Sequence, residues 1–171
     1  MNDTRWLDTD EQQTWRSFLT ASRLLFDRIE RQLQQEAGIP HAYYEILVRL
    51  SEAPERTLRM SQLASTSLSS RSRLSHAVAR MEQDGWVRRE PCHTDKRGQN
   101  AVLTDEGFAR LQAAAPGHVE EVRTLLFDAL TPEQQRSLRE ISDVLAGALS
   151  DAPMWPAVAD GCPADECAPD G

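Results

Sequence analysis

The stretch from Trp86 to Thr104, W-V-R-R-E-P-C-H-T-D-K-R-G-Q-N-A-V-L-T, restricts the fold of this chain more than any other. Apolar residues of strand character bound it, Trp86 and Val87 at one end and Ala101, Val102 and Leu103 at the other. Between them His93 to Asn100 is polar and charged, and Gly98 is available for a positive φ. The pattern predicts a β-hairpin with a long basic tip. Asp84-Gly85 stops a helix directly before it.

That preceding helix is expected over about Ser70 to Asp84, with Leu74, Ala77, Val78 and Met81 spaced as one apolar stripe. At 100° per residue, with the stripe facing inward, Ser72 and His76 point outward. Ser69, Arg73 and Arg80 lie on one shoulder and Ser75 on the other. Small hydroxyls beside an Arg and a His suit a major groove: Ser permits close approach, and Arg can chelate guanine O6 and N7. Early residues of the helix would reach bases while Arg80 reaches a phosphate. In the hairpin, Lys96 and Arg97 suit a narrow, negative minor groove. Asp95 belongs there only as an internal partner that stiffens the loop, with Arg80, Arg88 or Arg89 as the candidate bases. A helix of this kind followed at once by a basic hairpin is a winged helix-turn-helix.

The remaining elements frame that unit. Asp8 or Thr9 caps a helix from about Asp10 to Glu36, whose apolar positions are Trp15, Phe18, Leu19, Leu25, Phe26, Ile29 and Leu33. Its length, ~39 Å, exceeds what one small domain covers, so part of its stripe is expected to face a second subunit. Gly38 ends it, and Pro40 opens a helix over His41 to Glu52, with Tyr44, Leu47, Val48 and, as a further candidate, Ile46 inward. A short strand at Leu58, a brief helix over Met60–Ala64 and a turn at Ser67–Ser70 follow. After the hairpin, Thr104 caps a long helix that Pro116-Gly117 is expected to bend or break. Thr131-Pro132-Glu133 starts the last helix, striped by Leu138, Ile141, Leu145, Ala148 and Leu149. From Asp151 the composition turns to Pro, Ala, Asp and Gly, read as a disordered acidic tail. The fold class is therefore mainly α with a small β-hairpin wing. One domain is expected over 8–150: a winged helix-turn-helix core over 38–104, helical dimerisation segments over 8–37 and 105–150, and a tail over 151–171.

Net charge is −8, which taken alone opposes nucleic-acid binding. Its distribution does not. From Arg59 to Arg97 there are eight Lys/Arg against four Asp/Glu, a local +4 that leaves −12 on the rest. Only a docking face must neutralise phosphates. No run approaches the ~20 apolar residues of a membrane span, and the first ten residues lack the apolar core of a secretion signal, so a cytoplasmic location is expected. Cys92, Cys162 and Cys167 form neither a disulfide framework nor a zinc set. Cys92 lies near Arg88, Arg89 and His93, which could activate it, but a structural thiol is the simpler reading. No glycine-rich phosphate loop, metal-binding His pair or nucleophile elbow is present, so no enzyme, metal or cofactor is expected.

Asp95-Lys96-Arg97 followed by Leu103-Thr104 and Glu106-Gly107 resembles the D-x-R-x-x-x-x-x-L-T-x-x-G signature of the MarR (multiple antibiotic resistance regulator) family. The preceding L-S-H-A-V-A-R-M-E-Q-D-G-W-V-R-R is similar to that family's recognition helix and first wing strand. The resemblance follows the order of elements from about Asp10 to Leu149. It implies a homodimer with interlocked outer helices, two winged helices on a pseudo-palindromic operator in double-stranded DNA, and repression often relieved by a small aromatic ligand. The family's wing arginine falls on Arg97 and its acidic partner on Asp95. Its ligand pocket, between the dimer helices and the winged helix, would here draw on Trp15, Leu19, His41 and Tyr44. The competing reading is a winged helix used for dimerisation or protein interaction without specific DNA binding.

Overall fold

The computed structural model describes residues 4–66, 71–92 and 95–149, without the side chains of 65, 66, 71 and 95–97. Among the described residues six α-helices and a three-stranded antiparallel sheet occur in the order α1 (Thr9–Ala37), α2 (His41–Glu52), β1 (Thr57–Arg59), α3 (Met60–Thr66), α4 (Arg71–Gln83), β2 (Val87–Cys92), β3 (Asp95–Leu103), α5 (Asp105–Val122) and α6 (Pro132–Leu149). The sheet order is β1-β3-β2. The expected 67–70 turn and the tail from Asp151 lie outside the described residues.

Local chemistry sets most boundaries. Asp8 caps α1 in a reciprocal box with Glu11, each side chain bonding the other's backbone N–H at 2.8–2.9 Å. Gly38, at φ 64°, closes the helix, its N–H bonding the Gln34 carbonyl while Ile39 N–H reaches back to Leu33. Thr131 and Gln134 repeat the box at α6. Pro40 sits at the N-cap of α2, one position earlier than its expected place in the first turn.

The core lies beneath the winged helix. Leu33, Ile39, Leu47, Leu50, Leu63, Leu74, Val78, Met81 and Val87 are fully buried, joining α1, α2, α3, α4 and β2. The α4 stripe is thus the inward face expected of it. On α2, Tyr44, Ile46 and Leu47 are buried and Val48 is half-buried.

The joint between wing and α5 explains the L-T-x-x-G run. Thr104 Oγ1 accepts the Gly107 N–H at 3.0 Å, capping α5, and donates toward the carbonyls of Gly85 and Trp86, 2.7 and 3.0 Å away. The Thr104 N–H also bonds the Trp86 carbonyl at 3.1 Å. A Cβ on residue 107 would overlap that carbonyl oxygen and lie 2.8 Å from Leu103 Cδ1. Gly107 is there to let α5 meet the start of β2.

Two expectations need correction. Residues 95–100 are not a loop but belong to β3, which pairs Asn100 with Glu90 and Gln99 with Pro91 before the register shifts and Cys92 meets Asp95. That jump leaves Lys96, Arg97 and Gly98 as an extended bulge, and Gly98 lies inside the strand. Alternation of Gln99, Asn100 and Ala101 with the partner strand outweighs their polarity, and Pro91 is tolerated because β2 is an edge. Nor does Pro116-Gly117 break α5. The helix continues to Val122, and the irregularity comes later, as a π-helical turn over Arg123–Phe127 with the Asp128 N–H on the Arg123 carbonyl. A Cβ at Gly117 would collide with Glu36 and lie 2.9 Å from Gln32 Nε2 on α1, so the glycine serves close helix contact. Arg28–Glu121 at 3.3 Å and the Arg110 bond to the Ala37 carbonyl hold the same pair of helices together. Packing against α1 thereby offsets the bond that Pro116 cannot make.

One seam joins α1, α2 and α5. The rings of Tyr44 and His118 lie 4.4 Å apart, His41 and His118 6.2 Å, and Phe26 and His41 5.9 Å. Burial, and secondarily the neighbouring His41, lowers the His118 pKa below its ordinary value.

Two outcomes follow from this packing. Gly107→Ala should cost about 1–3 kcal/mol by overpacking, read from denaturant unfolding at fixed protein concentration. For His118, the unfolded chain takes up a proton near pH 6.5 before the folded chain does. Stability should therefore be complete above that value and fall as pH drops below it. Thermal melts of wild type and His118→Phe between about pH 7.5 and 5 check this, with a shallower acid loss expected in the variant.

Candidate nucleic-acid interface

Burial of Leu74, Val78 and Met81 turns the opposite side of α4 to solvent. Ser72, Arg73, Ser75, His76 and Arg80 are all exposed there, as the helical wheel anticipated. Serines leave the helix backbone approachable, and the basic and imidazole groups supply donors of the geometry that base edges and phosphates accept. Ser69 precedes the described part of the helix. Lys96 and Arg97 are placed by backbone in the bulge of β3, and their side chains, with that of Asp95, lie outside the described residues. A bulge bends its strand and sets residues apart from the regular ladder.

Carboxylates hold the arginines around this face in a definite pattern. Arg80 lies 3.5 Å from Asp84 one helical turn on, and Arg88 bonds Glu90 at 2.7 Å on its own strand. Arg89 bonds Glu82 at 2.6 Å, and that contact, with the Arg89 N–H on the same carboxylate, holds Glu82 below the usual carboxylate range. The three bases expected as candidates for Asp95 each have a carboxylate of their own. The reason is local: Asp84, Glu90 and Glu82 are anchored on the same helix end and strand, whereas Asp95 stands at the far end of the hairpin. Glu82 was not singled out from the sequence, since nothing in helical spacing reports that the chain turns back on itself at Gly85, at φ 80°.

The structure divides the four residues expected at a ligand pocket. His41 and Tyr44 are together, with Phe26 and His118 as neighbours. Trp15 is half-exposed and stacks on Phe18, with Leu19 half-buried beside them. Trp15 and Phe26 are about three helical turns apart, ~16 Å along the axis. His118 was missed because it follows the Pro-Gly read as a helix break. Cys92 is buried at the far end of β2, opposite Asp95, in keeping with a structural thiol, while Cys162 and Cys167 lie outside the described residues. Among the described residues no group of His, Cys, Asp and Glu could hold a metal, and no helix is long and apolar enough to cross a membrane.

Comparison with known proteins agrees with this geometry. The family model described as "MarR family" matches residues 37–98, the span of the winged helix up to the bulge. The HTH-type transcriptional regulator PecS of Dickeya dadantii (strain 3937) is 32% identical over 125 residues, 72% of this chain and 74% of PecS. Among solved structures, Sco3205, a MarR family transcriptional regulator from Streptomyces coelicolor crystallised in complex with DNA, is 56% identical with a TM-score of 0.83, over 86% of this chain and 96% of that one. AbsC, a MarR family transcriptional regulator from the same organism, is 44% identical with a TM-score of 0.80, over 85% of this chain and 98% of AbsC. The exposed Ser/Arg/His face, the bulged wing and these likenesses converge: this chain belongs to the MarR family of transcriptional regulators, and it is a regulator rather than an enzyme.

Proposed function

We propose that the chain acts as a homodimeric repressor on a pseudo-palindromic operator, with α4 in the major groove and the wing in the adjacent minor groove. The observation that carries this reading is the division of α4 into a buried apolar stripe and an exposed Ser72/Arg73/His76 face beside a bulged basic hairpin. Sco3205, 56% identical, is a DNA-bound protein in its crystal, which supports the same role here.

Dimerisation is supported by apolar surface that the single chain leaves uncovered. Trp15, Phe18, Leu24 and Phe26 of α1 are each about half-exposed or more, and Ile141, Val144 and Leu149 of α6 are 57, 72 and 84% exposed. Leu138, Ile141 and Leu145 face Phe18 across a groove of about 660 Å³. Apolar surface on this scale marks an interface in a soluble protein. The two copies would bring two recognition helices to two half-sites. Sedimentation should find a dimer at micromolar concentration; a stable soluble monomer would refute it.

A small aromatic ligand completes the reading. Its site would use His41 and Tyr44 at the seam, with Trp15 and Leu19 contributing where the dimer brings them within reach. Such a ligand must favour the dimer geometry that does not fit the operator, since equal affinity for both shifts nothing. Aromatic acids should quench Trp fluorescence and release DNA, and Trp15→Ala/His41→Ala should bind them less well. Undiminished binding would place the pocket elsewhere.

Three substitutions separate the DNA-contacting parts. Arg73→Ala should cost ~1–3 kcal/mol on the operator and relax base preference at one position per half-site. Arg97→Ala should weaken binding and flatten the salt dependence by about one unit per engaged monomer, with little change in major-groove preference. With Arg80, Arg88 and Arg89 each on another carboxylate, Asp95 is left to support Lys96 and Arg97 within the bulge, so Asp95→Ala should weaken binding although it removes a negative charge. Titration of each on one operator at several salt concentrations checks all three; tighter binding by Asp95→Ala would overturn this account of the wing.

A further inference from the structure

One carboxylate spans the corner between the recognition helix and the wing. Glu82 Oε1 accepts the backbone N–H of Arg89 at 3.0 Å. Glu82 Oε2 accepts from Arg89 Nε at 2.8 Å and from its terminal guanidinium nitrogen at 2.6 Å. Glu82 lies in the last turn of α4 and Arg89 is the third residue of β2, with the Asp84-Gly85-Trp86 turn between them.

An exposed ion pair between two flexible side chains fixes little. This contact differs in two respects. One of its three bonds ends on the strand backbone, so it locates β2 itself rather than a side-chain tip. The two side chains are only 35 and 28% exposed, and all three bonds come from one carboxylate in a forked geometry that a Lys could not match. The strand it holds is an edge, bonded on one side to β3, so its angle to α4 depends on what α4 offers it.

We propose that Glu82 is a positioning residue for operator recognition: through Arg89 it sets the angle between α4 and the wing, so that both enter their grooves at once. Arg89 is then a brace rather than a phosphate contact. This rests on the major-groove and minor-groove assignment above.

The experiment uses the full-length protein and a duplex that the wild type selects from a random library, prepared with A·T or G·C base pairs under the wing and with a matched or mismatched centre. Wild type should prefer the A·T flanks by roughly tenfold. Glu82→Gln and Arg89→Ala should each bind the A·T-flanked duplex about five- to tenfold more weakly, with that flank preference largely lost, centre preference kept and salt dependence unchanged. The double variant should be no weaker than either single one, because both remove one brace. Arg89→Lys, which keeps the charge without the fork, should resemble Arg89→Ala in flank preference. Thermal melts accompany every variant; equal loss of centre and flank preference together with a lowered Tm would reduce Glu82 to a merely structural residue and overturn the proposal. So would wild-type or tighter binding by Glu82→Gln. A salt dependence flattened by Arg89→Ala alone would make Arg89 a phosphate contact instead. If wild type itself ignores the flanks, the minor-groove assignment fails and takes the brace with it, an outcome told apart by the wild-type titration alone.

Discussion

The Trp86 carbonyl is the point on which the geometry of this molecule depends. It accepts both the N–H and the hydroxyl of Thr104, while the missing side chain of Gly107 lets α5 come up against it. One backbone group thereby ties the exit of α4, the first residue of the wing and the start of α5. The Trp86 ring extends the tie, with the Arg110 guanidinium 5.6 Å over it and the same guanidinium on the Ala37 carbonyl at the end of α1. The end of α1, the start of α5 and the turn between α4 and the wing are thus joined through Trp86 and Arg110.

Much of this joint is legible in the amino-acid sequence. Asp84-Gly85 marks a helix end because a left-handed residue is needed there, and Thr104 followed by two acids marks a helix start. The α4 stripe predicts its own burial, since only one face of a helix with that spacing can meet a core. What could not be read was how the two ends come together. Gly107 looks like a poor choice for a helix interior, and its reason lies 21 positions earlier in the chain, in a carbonyl that no local pattern mentions.

The same limit accounts for the misplaced features. Polarity marks residues 95–100 as loop, yet strand pairing depends on the partner strand, and Glu90 and Pro91 stand opposite Asn100 and Gln99 regardless of side-chain character. Pro116-Gly117 carries a local penalty that α1 offsets across a helix pair, so the break moves to Arg123–Phe127, beyond the tight contact with Gln32 and Glu36. For the ligand residues, helical spacing places Trp15 and Phe26 on one helix but says nothing of which turn His41 meets. The seam with His118 is a tertiary fact.

Charge illustrates how position outweighs totals. Of the eight basic residues between Arg59 and Arg97, Arg80, Arg88 and Arg89 face Asp84, Glu90 and Glu82 within 3.5 Å. The other basic residues of that span, Arg59, Arg71, Arg73, Lys96 and Arg97, lie on the first strand, at the start of α4 and in the bulge of the wing. The exposed Arg80–Asp84 and Arg88–Glu90 contacts are weak enough for a phosphate to compete with, whereas Glu82 grips the backbone as well as the side chain of Arg89. A uniformly basic surface would be drawn to any duplex. A patterned one set in an acidic body disfavours most orientations of a polyanion and favours those that present the basic face.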